Sequence, residues 1–335
     1  MKKLLKWLAV ASLALPVSVL PAVAQDYTIK VASSTANDVI SHWMETFKAG
    51  VEEGSDGRIA VELYPANQLG QVPATIEGVS FGTIEVTVPA SGFFVPMDSR
   101  FEVLDTPSLF DDLAHAQRVL ADPEVAAHIA EYGNDRGLSP IAVFPHSQLA
   151  LLTIKGVPTI DSIKGQRIRV VGPTALHIVP MTDLGALPTA MPLGEVIPGM
   201  QNRLIDGLMA GTSVYPALRF YDVATDMTML PSSYAFATAV ASKSFMDGLD
   251  DDLRALVREQ ALSAAEAANA WNREAVVRGL ETWRENGGKV LEWTAEENAQ
   301  YLANIEANLP EILEANPALG AEIEFMRAAA ERLAE

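Results

Sequence analysis

Hydrophobic positions near the start of the chain repeat at two different intervals. Residues 27–32 and 59–64 are short apolar-rich segments, and the second alternates apolar and polar side chains as a half-buried strand does. Between them, apolar side chains recur every three or four residues, the spacing of an amphipathic helix. That stripe consists of Ile40, Trp43, Met44, Phe47 and Val51. Helical spacing resumes at Val72, Ile76 and Val79 before a strand pattern at 84–88, so this segment is predicted to be βαβαβ.

The middle of the chain continues the alternation. Asp122-Pro123 predicts a helix start, because aspartate caps the first turn and proline fits the first helical position. Strands are predicted at 141–144, 150–154 and 167–171, and the last of them leads into a helix start at Gly172-Pro173-Thr174. Strands that alternate with helices indicate a layered α/β fold.

The C-terminal part is predominantly helical. A long helix is predicted from about Asp250 to Glu285, and Thr294 with Glu297 forms the capping box of a later one. The last apolar stripe fits either packing on its own lobe or contact with a second copy; it comprises Ile323, Met326, Ala330 and Leu333. Without a Gly/Ser tether, two lobes are expected to be joined by crossing strands.

The first 24 residues have the pattern of a secretory signal peptide. Three lysines precede an apolar stretch that ends at Ala22-Val23-Ala24, and Pro16 and Pro21 interrupt it. A membrane anchor needs about 20 apolar residues, so cleavage after Ala24 is the preferred interpretation. The mature chain is therefore expected in the periplasm.

Composition narrows the classes of partner and chemistry. Asp and Glu total 43 against 24 Lys and Arg, a net charge of −19, which repels nucleic acid and anionic lipid. Cysteine is absent and 49% of residues are hydrophobic, so apolar cores rather than disulfides must hold the fold. No cofactor or metal motif is present, and neither is predicted.

Enzymatic motifs are lacking as well. The five histidines are scattered, without His-Glu-x-x-His or a Gly-x-Ser-x-Gly elbow. His146 and Ser147 are adjacent, but neighbouring residues of a regular strand point to opposite faces, which argues against a base and nucleophile. The chain is therefore not expected to be an enzyme.

Several local patterns, in order along the chain, resemble the solute-binding subunits of tripartite ATP-independent periplasmic (TRAP) transporters. The patterns are Gly57-Arg58-Ile59, Tyr64-Pro65, Gln68-Leu69-Gly70, Leu104 to Phe110, Ile163 to Arg169, Leu184-Gly185-Ala186, Ile205-Asp206-Gly207 and Gly287-Gly288-Lys289. The resemblance implies a two-lobed fold of the type II periplasmic-binding-protein kind, with a long helix that bridges the lobes. It also implies that the chain delivers a small organic acid to two membrane permease subunits.

The lobe boundaries expected on this basis use both crossing strands. Lobe I is predicted to comprise 25–145 and roughly 235–268, and lobe II to comprise 146–234 and roughly 269–335.

Arg169 matches the arginine with which the family clasps a ligand carboxylate. Its guanidinium offers a planar fork that pairs bidentately with a carboxylate. Arg167 lies on the same face of the predicted strand but does not match that position. Arg169 is therefore the principal expected ligand contact.

Further ligand contacts are carried over from the resemblance. They are Ser34, Ser91, Ser147, Leu193, Ala210 and Tyr234. Many relatives have a ligand-binding asparagine after the Asp-Gly pair, where this chain has Leu208-Met209-Ala210, and some have an arginine where it has Leu149. Fewer charges and more apolar lining point to a monocarboxylate with an apolar or aromatic body. A ligand-sensing receptor and, less favoured, a periplasmic enzyme stay open as alternatives.

Overall fold

One mixed β-sheet runs through the computed structural model, which describes residues 26–334. The predicted signal peptide at 1–24 lies outside that range. The strands are β1 (Tyr27–Ala32), β2 (Ile59–Tyr64), β3 (Val86–Thr87), β4 (Leu138–Thr153), β5 (Arg167–Val170), β6 (Leu187–Ala190), β7 (Gly207–Gly211), β8 (Asp226–Ser242) and β9 (Lys289–Leu291). Their order is β2-β1-β3-β8-β4-β7-β5-β6, and β9 pairs with β8.

Helices cover both faces of this sheet, which confirms the predicted α/β class. They are α1 (Val39–Gly54), α2 (Val72–Ser80), α3 (Leu113–Ala121), α4 (Pro123–Ile129), α5 (Ala175–Asp183), α6 (Val196–Gln201), α7 (Val214–Ala217), α8 (Lys243–Gly248), α9 (Asp251–Glu285), α10 (Ala295–Ala315) and α11 (Pro317–Arg332). Short 3-10 helices at Ser91–Phe94 and Ser99–Asp105 complete the part that bears on the site.

Lobe I is built around β1, β2 and β3. The Asp38 side chain caps α1, and the predicted stripe of that helix is buried against the sheet. Trp43 stacks on Phe47 and Phe144 at centroid distances of 4.8 and 6.0 Å, and its Nε1 donates to Ala261 O of α9. The helical periodicity in the sequence therefore identified the core of this lobe.

Two long antiparallel strands, β4 and β8, connect the lobes. The sequence predicted separate strands at 141–144 and 150–154, whereas β4 is one strand of 16 residues. Pro145 lacks a backbone donor and polar residues follow it, so the apolar pattern breaks there. The pairing with β8 continues through register shifts, one of them between Pro145 and Ser147.

The helix α9 bridges the two lobes, as the resemblance implied. Val257, Ala261 and Ala268 pack in a core with α1 of lobe I, while Trp283 packs in a core with β7 of lobe II. Between these two contacts, the buried Asn272 donates from Nδ2 to Pro145 O and His146 O of β4, at 3.3 and 2.6 Å. Asn272 thus attaches the bridging helix to the crossing strand.

Replacing Asn272 by leucine is expected to lower the free energy of unfolding by about 1–3 kcal/mol, because two buried carbonyl groups lose their donor. Urea unfolding measures the change. The control is Asn286→Ala on the exposed end of α9, which is expected to stay within about 0.5 kcal/mol. Equal midpoints for the two variants would contradict this role of Asn272.

The end of the chain packs differently from its predicted assignment. Leu319, Ile323 and Met326 of α11 are buried in a core with Phe101 and Leu120 of lobe I, whereas 269–335 was assigned to lobe II. The α10 helix contacts α5 of lobe II, so the chain crosses back near Asn316. The apolar stripe of α11 is therefore covered by the protein's own lobe I. The other lobe boundaries stay a prediction.

Candidate ligand-binding site

A cavity of about 50 Å³ lies between the lobes, against the middle of β4 and β8. Lobe I lines it from the ends of β1 and β3, and lobe II lines it from β5, β7 and the start of α7. Its polar lining residues are Ser34, Thr35, His146 and Arg169. The apolar lining includes Ile40, Phe93, Val171, Leu193 and Phe236.

Arg169 is a buried cation on β5, which lies between β7 and β6 in lobe II. Its side chain lines the cavity, and the residue is 2% exposed. Nε donates to Met191 O at 3.0 Å and Nη1 donates to Met209 O at 3.3 Å. The guanidinium carbon lies 5.7 Å from the centroid of the Phe93 ring, within the range of a cation–π contact. Two backbone carbonyls and a lobe I ring thus fix the guanidinium.

The positive charge of Arg169 has no anionic partner among residues 26–334, and Nη2 makes no hydrogen bond there. Burial lowers the pKa of Arg169 to about 10, so the guanidinium is still charged at neutral pH. A buried charge without a partner is costly. The geometry is that of a site that takes an anion.

Arg167, in contrast, forms an ion pair at the surface of the protein. Its guanidinium pairs with Asp206 through two hydrogen bonds, from Nε at 2.9 Å and from Nη2 at 2.8 Å. Its side chain is 41% exposed. Two arginines on one strand therefore differ completely in environment, and only Arg169 lines the cavity.

Three of the other predicted contacts also line the cavity. Ser34 follows β1 in lobe I, Leu193 is 9% exposed at the start of a short 3-10 helix, and Ala210 lies on β7 beside Arg169's strand. The structure brings these three together with Arg169.

Ser91, Ser147 and Tyr234 do not line the cavity. The Ser91 hydroxyl donates to Phe236 O at 3.1 Å and lies 2.7 Å from Thr238 Oγ1. Ser147 Oγ lies 3.0 Å from Ser213 Oγ, and Tyr234 OH donates to Asp111 O at 3.1 Å. All three hydroxyls are engaged with other parts of the protein.

The expectation that His146 and Ser147 point to opposite faces is wrong. The register shift after Pro145 turns both side chains to one side, and His146 Nδ1 lies 3.1 Å from Ser147 Oγ. His146 Nδ1 is also 3.0 Å from Ser213 Oγ, and its Nε2 is 3.2 Å from Asp38 Oδ2. Burial alone raises the pKa of Asp38, but the hydrogen bond and charge attraction of His146, together with the Thr35 hydroxyl and the Ser41 N–H, outweigh it and lower that pKa.

Thr35, Phe93 and His146 are among the lining residues that sequence reasoning missed. Thr35 is 3% exposed and lies three residues before Asp38, whose pKa its hydroxyl helps to lower. Phe93 lies in a short 3-10 helix that the periodicity did not indicate. The adjacent pair His146-Ser147 was the only signal available for His146.

These features define a class of protein. A two-lobed α/β chain, with crossing strands and a cavity between the lobes that presents a buried, unpaired cation, has the features of a solute-binding protein. The model of the family described as bacterial extracellular solute-binding protein, family 7, matches residues 31–316. The chain belongs to this family.

Individual relatives agree with that membership. The 2,3-diketo-L-gulonate-binding periplasmic protein of Escherichia coli is 26% identical over 258 residues, which cover 76% of this chain and 74% of the relative. The C4-dicarboxylate-binding periplasmic protein of Rhodobacter capsulatus is 25% identical over 293 residues, 87% of each chain.

Solved structures show the same fold. A TRAP periplasmic solute-binding protein from Bordetella bronchispeptica, with density attributed to pantoate, has a TM-score of 0.82 and 25% identity. The match covers 90% of this chain and 98% of that one. The predicted TRAP resemblance, the two-lobed fold and the location outside the cytoplasmic membrane are thereby confirmed. Within residues 26–334, no helix has the length and apolar character of a membrane span.

Proposed function

We propose that this protein captures a small monocarboxylate with an apolar or aromatic body and delivers it to a TRAP permease of two membrane subunits. The observation that carries the proposal is the buried guanidinium of Arg169, which lacks an anionic partner within the described chain. A ligand carboxylate supplies the missing negative charge and accepts hydrogen bonds from the free N–H groups of the guanidinium.

The number of charges in the cavity supports one carboxylate rather than two. Arg169 is the only arginine or lysine of the lining within residues 26–334. His146 also lines the cavity, but both of its ring nitrogens are engaged, with Asp38 on one side and Ser213 on the other. A second carboxylate would therefore be buried without a cation to pair with.

The remaining lining supports an apolar body of small size. Ile40, Val72, Phe93, Val171 and Phe236 surround the space in front of Arg169. A bound water needs about 10–15 Å³ of such space, so the cavity of about 50 Å³ holds a few heavy atoms without rearrangement. The pantoate assigned to the density in the Bordetella bronchispeptica relative also has one carboxylate and a branched body, which carries two hydroxyl groups.

A thermal-shift screen of small organic acids tests the ligand class. Branched or aromatic monocarboxylates are expected to raise the melting temperature by about 5–10 °C at a concentration about 100 times Kd. Succinate and glucuronate serve as matched dicarboxylate and sugar-acid controls and are expected to give no shift. A shift with succinate or glucuronate, and none with the branched or aromatic acids, would refute the proposed class.

We also propose that the bound acid leaves unchanged. The Asp38, His146 and Ser213 side chains form a hydrogen-bonded series beside the cavity, so conversion of the acid needs a direct test. Nuclear magnetic resonance of the acid after prolonged incubation is expected to show a single, unaltered compound. A new product that disappears in Ser213→Ala would instead establish an enzyme.

A further inference from the structure

A second group of buried polar residues lies between the lobes, outside the cavity. Asp105 ends the 3-10 helix Ser99–Asp105 of lobe I, while Thr174 and His177 lie at the start of α5 in lobe II. Their exposures are 7%, 0% and 5%, respectively. The carbonyl of Val171, from the segment that lines the cavity, borders the group. Lobe apposition therefore buries titratable groups that the carboxylate clasp does not use.

One polar atom of each of these residues has no hydrogen-bond partner within the described chain. The atoms are Asp105 Oδ2, Thr174 Oγ1 and His177 Nε2. Asp105 Oδ1 lies 4.0 Å from His177 Nε2, close but beyond hydrogen-bond distance. Buried polar groups are rarely left unpaired, so three in one place indicate a missing component.

The tautomer of His177 indicates that this component is a proton. His177 Nδ1 lies 3.1 Å from Val171 O, and because a carbonyl oxygen only accepts, Nδ1 carries a proton. In the neutral ring, the lone pair of Nε2 then faces the Asp105 carboxyl group. An ionised Asp105 would place a negative charge opposite that lone pair, whereas a proton on Asp105 Oδ1, the oxygen 4.0 Å from Nε2, removes the charge and points a donor toward the lone pair.

The surrounding charges favour that proton on Asp105. Burial, and then the nearby Glu102, raise the pKa of Asp105 well above its usual value, and they outweigh the Thr174 hydroxyl, which lowers it. Glu102 accepts from Leu176 N at 2.9 Å and from Asn316 Nδ2 at 3.1 Å, which holds its carboxyl group beside Asp105. Burial lowers the pKa of His177 to about 4, and the positive charge of Arg169 acts in the same direction.

We propose that Asp105 and His177 form a proton-binding site between the lobes, so that lobe closure takes up one proton from solvent. The proton adds to a carboxylate oxygen of Asp105 and is donated toward His177 Nε2; no other bond forms or breaks. This inference rests on the proposed function in one respect, that the lobes close around a ligand. Closure, and with it ligand affinity, then depends on pH.

The sign of the dependence follows from the separated lobes. When water reaches both residues, their pKa values return to about 3.9 and 6.5, so at neutral pH and above the open pair holds little or no added proton. A proton bound more tightly in the closed form favours closure as pH falls. Below about pH 6 His177 is already protonated in the open form, and the dependence fades.

Lobe closure can be followed without any ligand by fluorescence energy transfer. The chain contains no cysteine, so Glu77→Cys and Glu195→Cys introduce the only two labelling sites, both exposed and on opposite lobes. They flank the rim where a Cβ on Gly194 would lie 3.1 Å from Gln71 Nε2. From pH 8.5 to 6.5 the closed-to-open ratio is expected to rise, by up to about tenfold per pH unit.

Variants separate this site from other titrations. Asp105→Asn is expected to remove the pH dependence, and His177→Gln to weaken it, because the amide can donate to Asp105 without an added proton. Asp206→Asn, which alters a carboxylate within lobe II alone, is expected to keep the full slope. Thermal unfolding confirms that each variant is folded. A flat profile in the parent protein, or an unchanged slope in both Asp105→Asn and His177→Gln, overturns the proposal.

Calorimetry with pantoate as the probe adds the count of protons. Binding enthalpies in phosphate and in Tris at pH 7.5 are expected to differ by close to one proton per pantoate in the parent protein and by none in Asp105→Asn. Pantoate binding without proton uptake overturns the proton site. No pantoate binding at all contradicts the proposed ligand class, and the ligand-free measurement then decides the proton site by itself.

Discussion

Replacing Arg169 by alanine is expected to weaken binding of the acid at least about 30-fold. The guanidinium is buried, faces the cavity and lacks an anionic partner within residues 26–334, so a ligand carboxylate there is paired in a site shielded from water. Removing one partner of such a pair typically costs about 2–5 kcal/mol or more. Arg169→Lys is also expected to lose affinity, because a single ammonium cannot replace the planar fork.

Removing the charge of Arg169 has the opposite expected effect on the stability of the ligand-free protein. Two backbone carbonyls and the Phe93 ring hold the guanidinium, yet they do not neutralise its charge. Replacing an unpaired buried charge by an apolar side chain of similar length removes its desolvation cost. Arg169→Met is therefore expected to abolish binding while it keeps or raises the melting temperature, the usual relation between a binding site and stability.

Arg167→Ala is the matched control for both measurements. Arg167 lies two residues away on the same strand, and its ion pair with Asp206 is partly exposed. Exposed pairs contribute little, so affinity and melting temperature are expected to change slightly. Isothermal titration and thermal unfolding of the parent protein, the Arg169 variants and Arg167→Ala measure both effects. An Arg169→Ala protein that is folded and binds as tightly as the Arg167→Ala control rules out the carboxylate clasp.

Local features of the sequence predicted much of the fold. The stripe of α1, the strands β1 and β2, and the capping box of Thr294 and Glu297 appear in the structure as expected. Each depends on interactions within one element or on the burial of one face, and periodicity reports both. The extent of β4 was not predicted, because its continuity depends on the pairing with β8 rather than on its own residues.

The site was less accessible to sequence reasoning, because its residues meet from distant parts of the chain. Arg169 was identified through the motif around it, while Phe93 and Thr35 carry no local pattern that marks them as lining residues. Ser91 and Tyr234 are close in sequence to residues that line the cavity, but their hydroxyls donate to the backbone carbonyls of Phe236 and Asp111, respectively. Side-chain direction at a register shift, as at His146, is decided by the partner strand.

Close approach of the two lobes depends on a pair of glycines. Gly172 follows β5 in lobe II and has a φ of +72°, a conformation that favours glycine. A Cβ there would lie 2.6 Å from both the carbonyl carbon and the oxygen of Gly92 in lobe I. Non-bonded carbon atoms prefer about 3.5–4.0 Å, so a methyl group at Gly172 requires the lobes to separate by about 1 Å.

Gly172→Ala is therefore expected to weaken binding by roughly 5- to 150-fold, since a contact that costs about 1–3 kcal/mol is present only when the lobes are together. Gly165→Ala separates this effect from backbone strain: Gly165 has a φ of +75°, but a Cβ there meets nothing within 4 Å. Both variants are expected to lose similar stability in thermal unfolding, and only Gly172→Ala to lose affinity. Equal affinities would mean that ligand capture does not require the lobes to meet at Gly92 and Gly172.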